Sequence, residues 1–352
     1  MAKLGIYKYF SFMFLVVTLL IAIFTLFALF GGNANPVHET AMAMLVYVLP
    51  LLVLGNVVML AYWLIRRHWH WALIPAFTML CCIPYTGTLF QFGFFPPKAD
   101  GKKEMRIATY NIALFGRELT GFKAEDILSE MKRQKVDILC FQEYKQYSGN
   151  KDNTAKYTKH FGHAAKGRDD MIIFSRYPVT ASGIIDFGSS TNNSAVWADI
   201  KAEDRTFRVI NVHLETTGFN RVFHQAAKQE QQGRKLEDNV LIRAIYDNYT
   251  LGMVTRAIQA DIVAQEIRKS PHPVILCGDF NDVPYSYVYN LMKGDLVDGF
   301  RECGKGFMFT MRGKKKVRID YIFHDKSLTG INYSLQKLSY SDHYPVFMEV
   351  AY

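Results

Sequence analysis

The chain has 352 residues, half of them hydrophobic, and a formal net charge of +9. Five of the 41 Lys and Arg and two of the 32 Asp and Glu precede residue 101, so the remaining 252 residues carry a net +6, which permits a phosphate-bearing substrate without demanding a polyanion. The five cysteines have neither a disulfide-framework pattern nor zinc-ligand spacing, which argues against a small stapled or zinc-held domain.

In chain order, the first hundred residues read as a membrane region. Residues 9–30 are uncharged and apolar, long enough to cross a bilayer at about 20 residues per span. Residues 42–65 form a second such run, closed by Arg66, Arg67 and interfacial aromatics through Trp71. A third run, 72–95, carries Pro75, Pro84, Gly87 and Gly93, which membrane helices tolerate. Lys3, Lys8, Arg66 and Arg67 mark cytoplasmic ends, so three spans place the rest of the chain on the periplasmic or extracellular side of the cell (inner) membrane. The domain division is therefore 1–100 and 101–352, joined by a polar linker, 96–104.

The second domain begins with an alternating strand, 105–111, ending at Asn111. Helical spacing follows over 123–134, then a buried strand, 136–143, ending at Glu143. Residues 171–174, 195–200 and 207–212 read as further strands, the last leading into His213, with a hairpin turn at Asp204–Arg205. Residues 221–270 form a polar helical insertion that feeds the central strand, 274–277. That strand delivers Asp279 and Asn281, which strand alternation turns toward one site while Phe280 enters the core. Asp320 lies in an apolar strand, 317–323, and Asp342–His343 in the turn entering the last strand, 345–350. Eight polar residues thus sit at or beside strand ends, which converge when a sheet stacks its edges on one side.

The motifs ATYNI, DILCFQE, INVHLE, LCGDFND, RIDYIF and SDHYPV, in this order, resemble those of the endonuclease/exonuclease/phosphatase superfamily over roughly residues 104–352. That superfamily includes pancreatic-type deoxyribonuclease, apurinic endonucleases, inositol polyphosphate phosphatases and bacterial sphingomyelinases. The resemblance implies an α/β fold: a four-layer sandwich of two packed sheets flanked by helices, here preceded by about three transmembrane helices. It implies a divalent metal, Mg²⁺ or Mn²⁺, near Asn111, Glu143 and Asp342. It implies a catalytic set of His213, Asp279, Asn281, Asp320 and His343, with Asp320 the partner of His343 and either Asp279 or His343 the base. Where some apurinic endonucleases carry an acid two residues after the asparagine, this chain has Ala113.

The chemistry agrees with the residue types. A phosphoester needs its oxygens neutralised and an in-line nucleophile, and carboxylates with amides hold a hard cation for that purpose. The expected function is a membrane-anchored, metal-dependent phosphoesterase acting on a lipid headgroup, a small phosphoester or nucleic acid. A nuclease reading is the alternative, with Lys314–Lys316 as its main support, and a non-catalytic binding module on the same fold is a further one. A transporter is disfavoured because the spans hold little polarity beyond Asn56 and Gln91.

Overall fold

A computed structural model describes residues 2–93, 101–116, 124–144, 154–168, 170–188, 191, 193–216, 228, 237–313 and 316–352. Parts of the linker 96–104, of the insertion 221–270 and of Lys314–Lys316 lie outside these residues. The chain divides into two compact units, residues 1–88 with Pro284–Asn290, and 89–283 with 291–352.

The first unit is helical: α1 (Ala2–Gly31), α2 (Thr40–Met44), a 3-10 turn at Leu45–Val48, α3 (Leu49–Ile65), α4 (Trp69–Cys81) and α5 (Ile83–Leu89). Two stretches are long and apolar enough to span a membrane, Lys8–Gly31 and Thr40–Ile65. The third expected span takes a different form. α4 and α5 meet at a 55° bend, and together they count as a span only if the bent pair is one. Pro84 removes a backbone donor at the start of α5, which breaks the helix there. Helix also stops at Leu89 rather than reaching residue 95. Two hydrogen bonds between buried polar side chains bridge helices in this unit: Asn56 Nδ2 donates to Thr25 Oγ1 at 2.8 Å, and Trp63 Nε1 to Thr18 Oγ1 at 2.9 Å. The short segment Pro284–Asn290 packs in the same unit. Asn290 Nδ2 donates to the Gly32 carbonyl at 2.8 Å, Asn35 Nδ2 donates to the Tyr287 hydroxyl at 3.1 Å, and the Tyr85 and Tyr285 rings meet edge to face.

The second unit opens at Leu89 with β1 (Phe90–Gln91), which pairs antiparallel with Gly306–Phe307. The elements after it are β2 (Glu104–Asn111), α6 (Ala113–Gly116), α7 (Ala124–Arg133), β3 (Ile138–Gln142), α8 (Thr154–Phe161), β4 (His163–Lys166) and β5 (Ile172–Ser175). Next come β6 (Val179–Asp186), β7 (Ser194–Ala202), β8 (Arg205–His213), α9 (Asp238–Arg268), β9 (Val274–Asp279), α10 (Tyr287–Lys293), β10 (Val297–Asp298) and α11 (Gly299–Cys303). The last are β11 (Gly306–Phe307), β12 (Asp320–His324), β13 (Thr329–Leu335) and β14 (Val346–Ala351).

The strands form two six-stranded sheets, ordered β10-β12-β9-β8-β7-β6 and β13-β14-β2-β3-β5-β4. Each has one parallel pair at its centre, β8 with β9 and β2 with β3, and antiparallel pairs elsewhere. The core between them is built from alternate strand residues such as Ile107, Cys140 and Ile173 on one side and Val209, Ile275, Cys277 and Ile322 on the other. Outside the second sheet, Ile127 and Met131 of α7 and Tyr157 of α8 cover Tyr110 and Phe141. α9 buries Met253, Ala257, Ala260 and Val263, completing the helix-flanked sandwich.

Several local expectations change in detail. β2 alternates only at its start and is buried from Ile107 onward, because both its faces are covered. The β7–β8 turn is Glu203–Asp204, since Arg205 already pairs with Ala202 and Glu203 takes the positive φ that a two-residue hairpin requires. The described part of the helical insertion is one continuous helix of 31 residues.

Candidate active site

The site lies where the inner faces of the two sheets part. Asn111, His213, Asp279 and Asp320 all share the inward parity of the core residues on their own strands, Ile107, Val209, Cys277 and Ile322. One step deeper, a buried polar layer separates them from the apolar core. Gln142 Nε2 donates to Thr109 Oγ1 at 2.9 Å and to Asn211 Oδ1, and Asn211 Nδ2 donates to the Phe141 carbonyl. These bonds tie β2, β3 and β8 together beneath the site, while Gln142 Oε1 has no hydrogen-bond partner among the described residues.

Two residues reach the site through the backbone rather than by alternation. β3 stops at Gln142 and Glu143 adopts φ +52°; β9 stops at Asp279 and Asn281 adopts φ +51°. The expected strand continuation through Asn281 is therefore replaced by an Asx turn, in which the Asn281 N–H donates to Asp279 Oδ1 at 2.8 Å. Asn281 Nδ2 then donates to the Leu214 carbonyl at 2.9 Å, and Phe280 is fully buried against Tyr321 and Phe323. Gly278, at φ +135°, lets β9 approach β8: a Cβ there would lie 2.0 Å from the Val212 carbonyl oxygen. Gly278→Ala is expected to destabilise the protein by about 3 kcal/mol or more, seen as a fall of roughly 10 °C in Tm.

Asp320 and Asp279 face each other in register on β12 and β9. His343 Nδ1 lies 2.9 Å from Asp320 Oδ2 and 3.2 Å from Oδ1, while its Nε2 lies 3.7 Å from Asp279 Oδ2. The hydrogen bond expected between Asp320 and His343 is present, but its route differs. β12 and β14 are not neighbouring strands; they belong to opposite sheets, and the pair closes the sandwich edge between them. Asp320 also opens its strand instead of lying within one. Arg318 is occupied elsewhere, by a buried ion pair with Asp298 at 2.5 Å.

Asn111 Nδ2 donates to Glu143 Oε1 at 3.0 Å and to Asp279 Oδ2 at 3.1 Å, while its Oδ1 accepts the Ala113 N–H. The amide thus braces two carboxylates with its nitrogen and keeps its oxygen for the backbone. His213 Nδ1 lies 3.2 Å from Asp170 Oδ2, and its Nε2 3.9 Å from Glu143 Oε1. Asp342 is exposed; it lines the same cleft, of about 810 Å³, with Glu143, His213, Asp279, Asn281 and His343. A separate grouping of possible ligand atoms joins Asp279, Asp320 and His343 within 4.8 Å.

Charge is concentrated in this pocket. Burial opposes ionisation of His343, but Asp320 and Asp279 outweigh it and raise its pKa to about 10. Burial opposes ionisation of His213 too, and the Asp170 hydrogen bond with nearby Asp279 and Glu143 raises it to about 9. Burial pushes the Asp279 carboxyl upward, against the pull of His343.

Asp170, Thr191, Asn193 and Glu215 were not singled out from the sequence, though all four belong to this neighbourhood. A signal existed for three of them. β5, β7 and β12 run antiparallel to β3, β8 and β9, so the residues just before β5 and β7, like the first residue of β12, lie at the edge where the other strands end.

Two mixed sheets with flanking helices and an acid–histidine edge define the sandwich class of phosphoester-cleaving proteins. The chain belongs to the endonuclease/exonuclease/phosphatase family, which residues 108–343 match. Members of that family hydrolyse phosphoester bonds. Residues 11–89 match a domain of unknown function. No curated protein matches the chain significantly. Among solved structures, an endonuclease/exonuclease/phosphatase from Bacteroides vulgatus is 16% identical, with 71% of this chain and 99% of that one covered and a TM-score of 0.52. A humanized D. rerio TDP2 is 18% identical over 71% and 99% of the two chains, TM-score 0.51. The human nocturnin catalytic domain with bound sulfate is 17% identical over 73% and 99%, TM-score 0.50. At these identities the likeness establishes the fold.

Proposed function

We propose that this protein is a membrane-anchored, divalent-metal-dependent phosphoesterase whose second unit acts on the outer side of the membrane. The observation that carries the reading is the linked set at the sandwich edge: Asp320 to His343, His343 to Asp279, Asp279 to Asn111 and Asn111 to Glu143. One continuous chain of contacts links three acids, a histidine and an amide, and brings Glu143, Asp279 and His343 of that set to one cleft.

The donors suit a hard cation. Glu143, Asp279 and Asp342 line the cleft, while Cys140 and Cys277, on the strands leading to it, are buried in the core. Carboxylate oxygens without thiolate fit Mg²⁺ or Mn²⁺, with Glu143 and Asp342 the holders. When bound, such an ion neutralises phosphate oxygens and polarises the phosphorus.

The chain's own groups do the rest. Asp320 accepts a hydrogen bond from His343 Nδ1–H, which orients the ring, stabilises its protonated form and aims Nε2 into the cleft. The His343 and His213 imidazoliums add positive charge where a phosphate would sit. Asp279, held by the Asn281 N–H and the Asn111 amide, is positioned to accept a proton from an attacking water, and its raised pKa favours that transfer. Asn281, beside it, offers an amide to the phosphate.

The test is hydrolysis by the full-length chain of aryl phosphomonoesters and phosphodiesters with Mg²⁺ or Mn²⁺. Turnover of no phosphomonoester or phosphodiester, aryl or alkyl, would overturn the reading. Plasmid cleavage at physiological salt in preference to both would favour the nuclease alternative.

The topology is tested separately. Lys3, Lys8, Arg66 and Arg67 mark cytoplasmic ends, and α4 with α5 supplies the last crossing. A carboxyl-terminal alkaline phosphatase fusion should be active and a fluorescent-protein fusion dark. The opposite result would mean that the bent pair does not cross.

A further inference from the structure

Beyond the phosphate end, the cleft has a second wall that the mechanism does not use, formed by Thr191, Asn193, Glu215, Asn248 and Thr255. Glu215 is fixed three ways. Its carboxylate accepts the Thr191 hydroxyl at 2.7 Å, its N–H donates to Gln259 Oε1 at 2.8 Å, and its carbonyl accepts from buried Arg256 at 3.1 Å. Arg256 in turn reaches Asp282 at 3.3 Å, so the loops after β8 and β9 share one clamp. Among the described residues Glu215 has no ion-pair partner, and the described cleft lining contains no Lys, Arg, Phe, Tyr or Trp side chain, its two rings being the imidazoles of His213 and His343 at the phosphate end.

We propose that this wall recognises the alcohol part of the substrate and selects a phosphorylated polyol, with Glu215 accepting hydrogen bonds from its hydroxyl groups. The inference rests on the phosphoesterase reading and names the substrate class for that site. A fixed carboxylate is a two-oxygen acceptor suited to neighbouring hydroxyls. Asn and Thr both donate and accept, as hydroxyls do, whereas an ammonium group would use acceptors alone. A quaternary ammonium or a nucleobase would call for Phe, Tyr or Trp faces, which the described lining lacks. A leaving group bearing further phosphates would meet Glu215 as like charge. Thr191, Asn193 and the Asn248 amide nitrogen are already hydrogen-bonded within the protein, so discrimination falls on the Glu215 oxygen that Thr191 does not hold, which an analogue without hydroxyls would leave unpaired.

The experiment uses the full-length chain in detergent with Mg²⁺ or Mn²⁺. Glycerol 1-phosphate and glycerophosphoglycerol are compared with p-nitrophenyl phosphate and bis-p-nitrophenyl phosphate. The ratio of kcat/KM, polyol over aryl within each ester type, should favour the polyol for at least one type. Glu215→Gln should lower that ratio at least tenfold, chiefly through KM, and Thr191→Val should lower it less. A ratio is independent of the fraction of protein that is folded. An aryl preference in both types, or an unchanged ratio in Glu215→Gln, overturns the inference and leaves the phosphoesterase reading standing. Hydrolysis of none of the four esters overturns both.

Discussion

His343→Ala and Asp320→Ala are each expected to lower kcat about 10³-fold, and the double variant to fall little further. The geometry supplies the reason for the non-additivity. The two side chains meet at 2.9 Å in a pocket where both are at least nine-tenths buried, so Asp320 acts only by holding and charging His343. Once the imidazole is gone, the acid has nothing left to orient. Asp320→Asn keeps the shape but presents an amide to Nδ1, and it should lose nearly as much as alanine. Losses that multiply, or an Asp320→Ala protein of normal rate, would show that the contact has no part in turnover. Arg318 offers no competing explanation, because its guanidinium is committed to Asp298.

The second large effect concerns Glu143. Chelation by EDTA should abolish turnover, with recovery on adding Mg²⁺, and Glu143→Gln should raise the Mg²⁺ concentration needed for half-maximal rate by about 100-fold. Asn111→Ala should produce a smaller shift in the same direction, since the amide braces Glu143 at 3.0 Å without offering its oxygen. Full activity of Glu143→Gln at limiting Mg²⁺ would remove this glutamate from the metal assignment.

Much of this edge was legible from strand ends. Asn111, His213 and Asp279 each come after a run of inward-facing residues on their own strand, and the alternation that buries Ile107, Val209 and Cys277 carries them to the same side. Glu143 and Asn281 obey a different rule. Both sit just beyond a strand at positive φ, where a single left-handed residue re-aims the chain, and strand alternation does not forecast that turn. The Asp320–His343 contact was expected for a reason the structure replaces, because pairing between sheets has no signature in either strand alone. Asp170 and Asn193 escaped notice because they precede strands. In an antiparallel sheet, the starts of alternate strands share an edge with the ends of the others.

The boundary between the apolar helical unit and the sandwich was the least legible feature. Composition changes near residue 100, yet β1 already pairs with β11 at residues 90–91, and Pro284–Asn290 is counted with the first unit. A chain truncated at residue 100 would retain every recognised motif and still be altered. It would lack Phe90 and Gln91 opposite β11, and Tyr285, Tyr287 and Asn290 would lose Tyr85, Asn35 and Gly32. The segment that holds those residues begins at Pro284, two positions after Asp282, the acid clamped by Arg256. Replacing residues 1–88 by unrelated helices would therefore leave Pro284–Asn290 without the partners it has in the first unit. Exchange of these helices, and not only their deletion, tests whether that segment depends on their particular side chains.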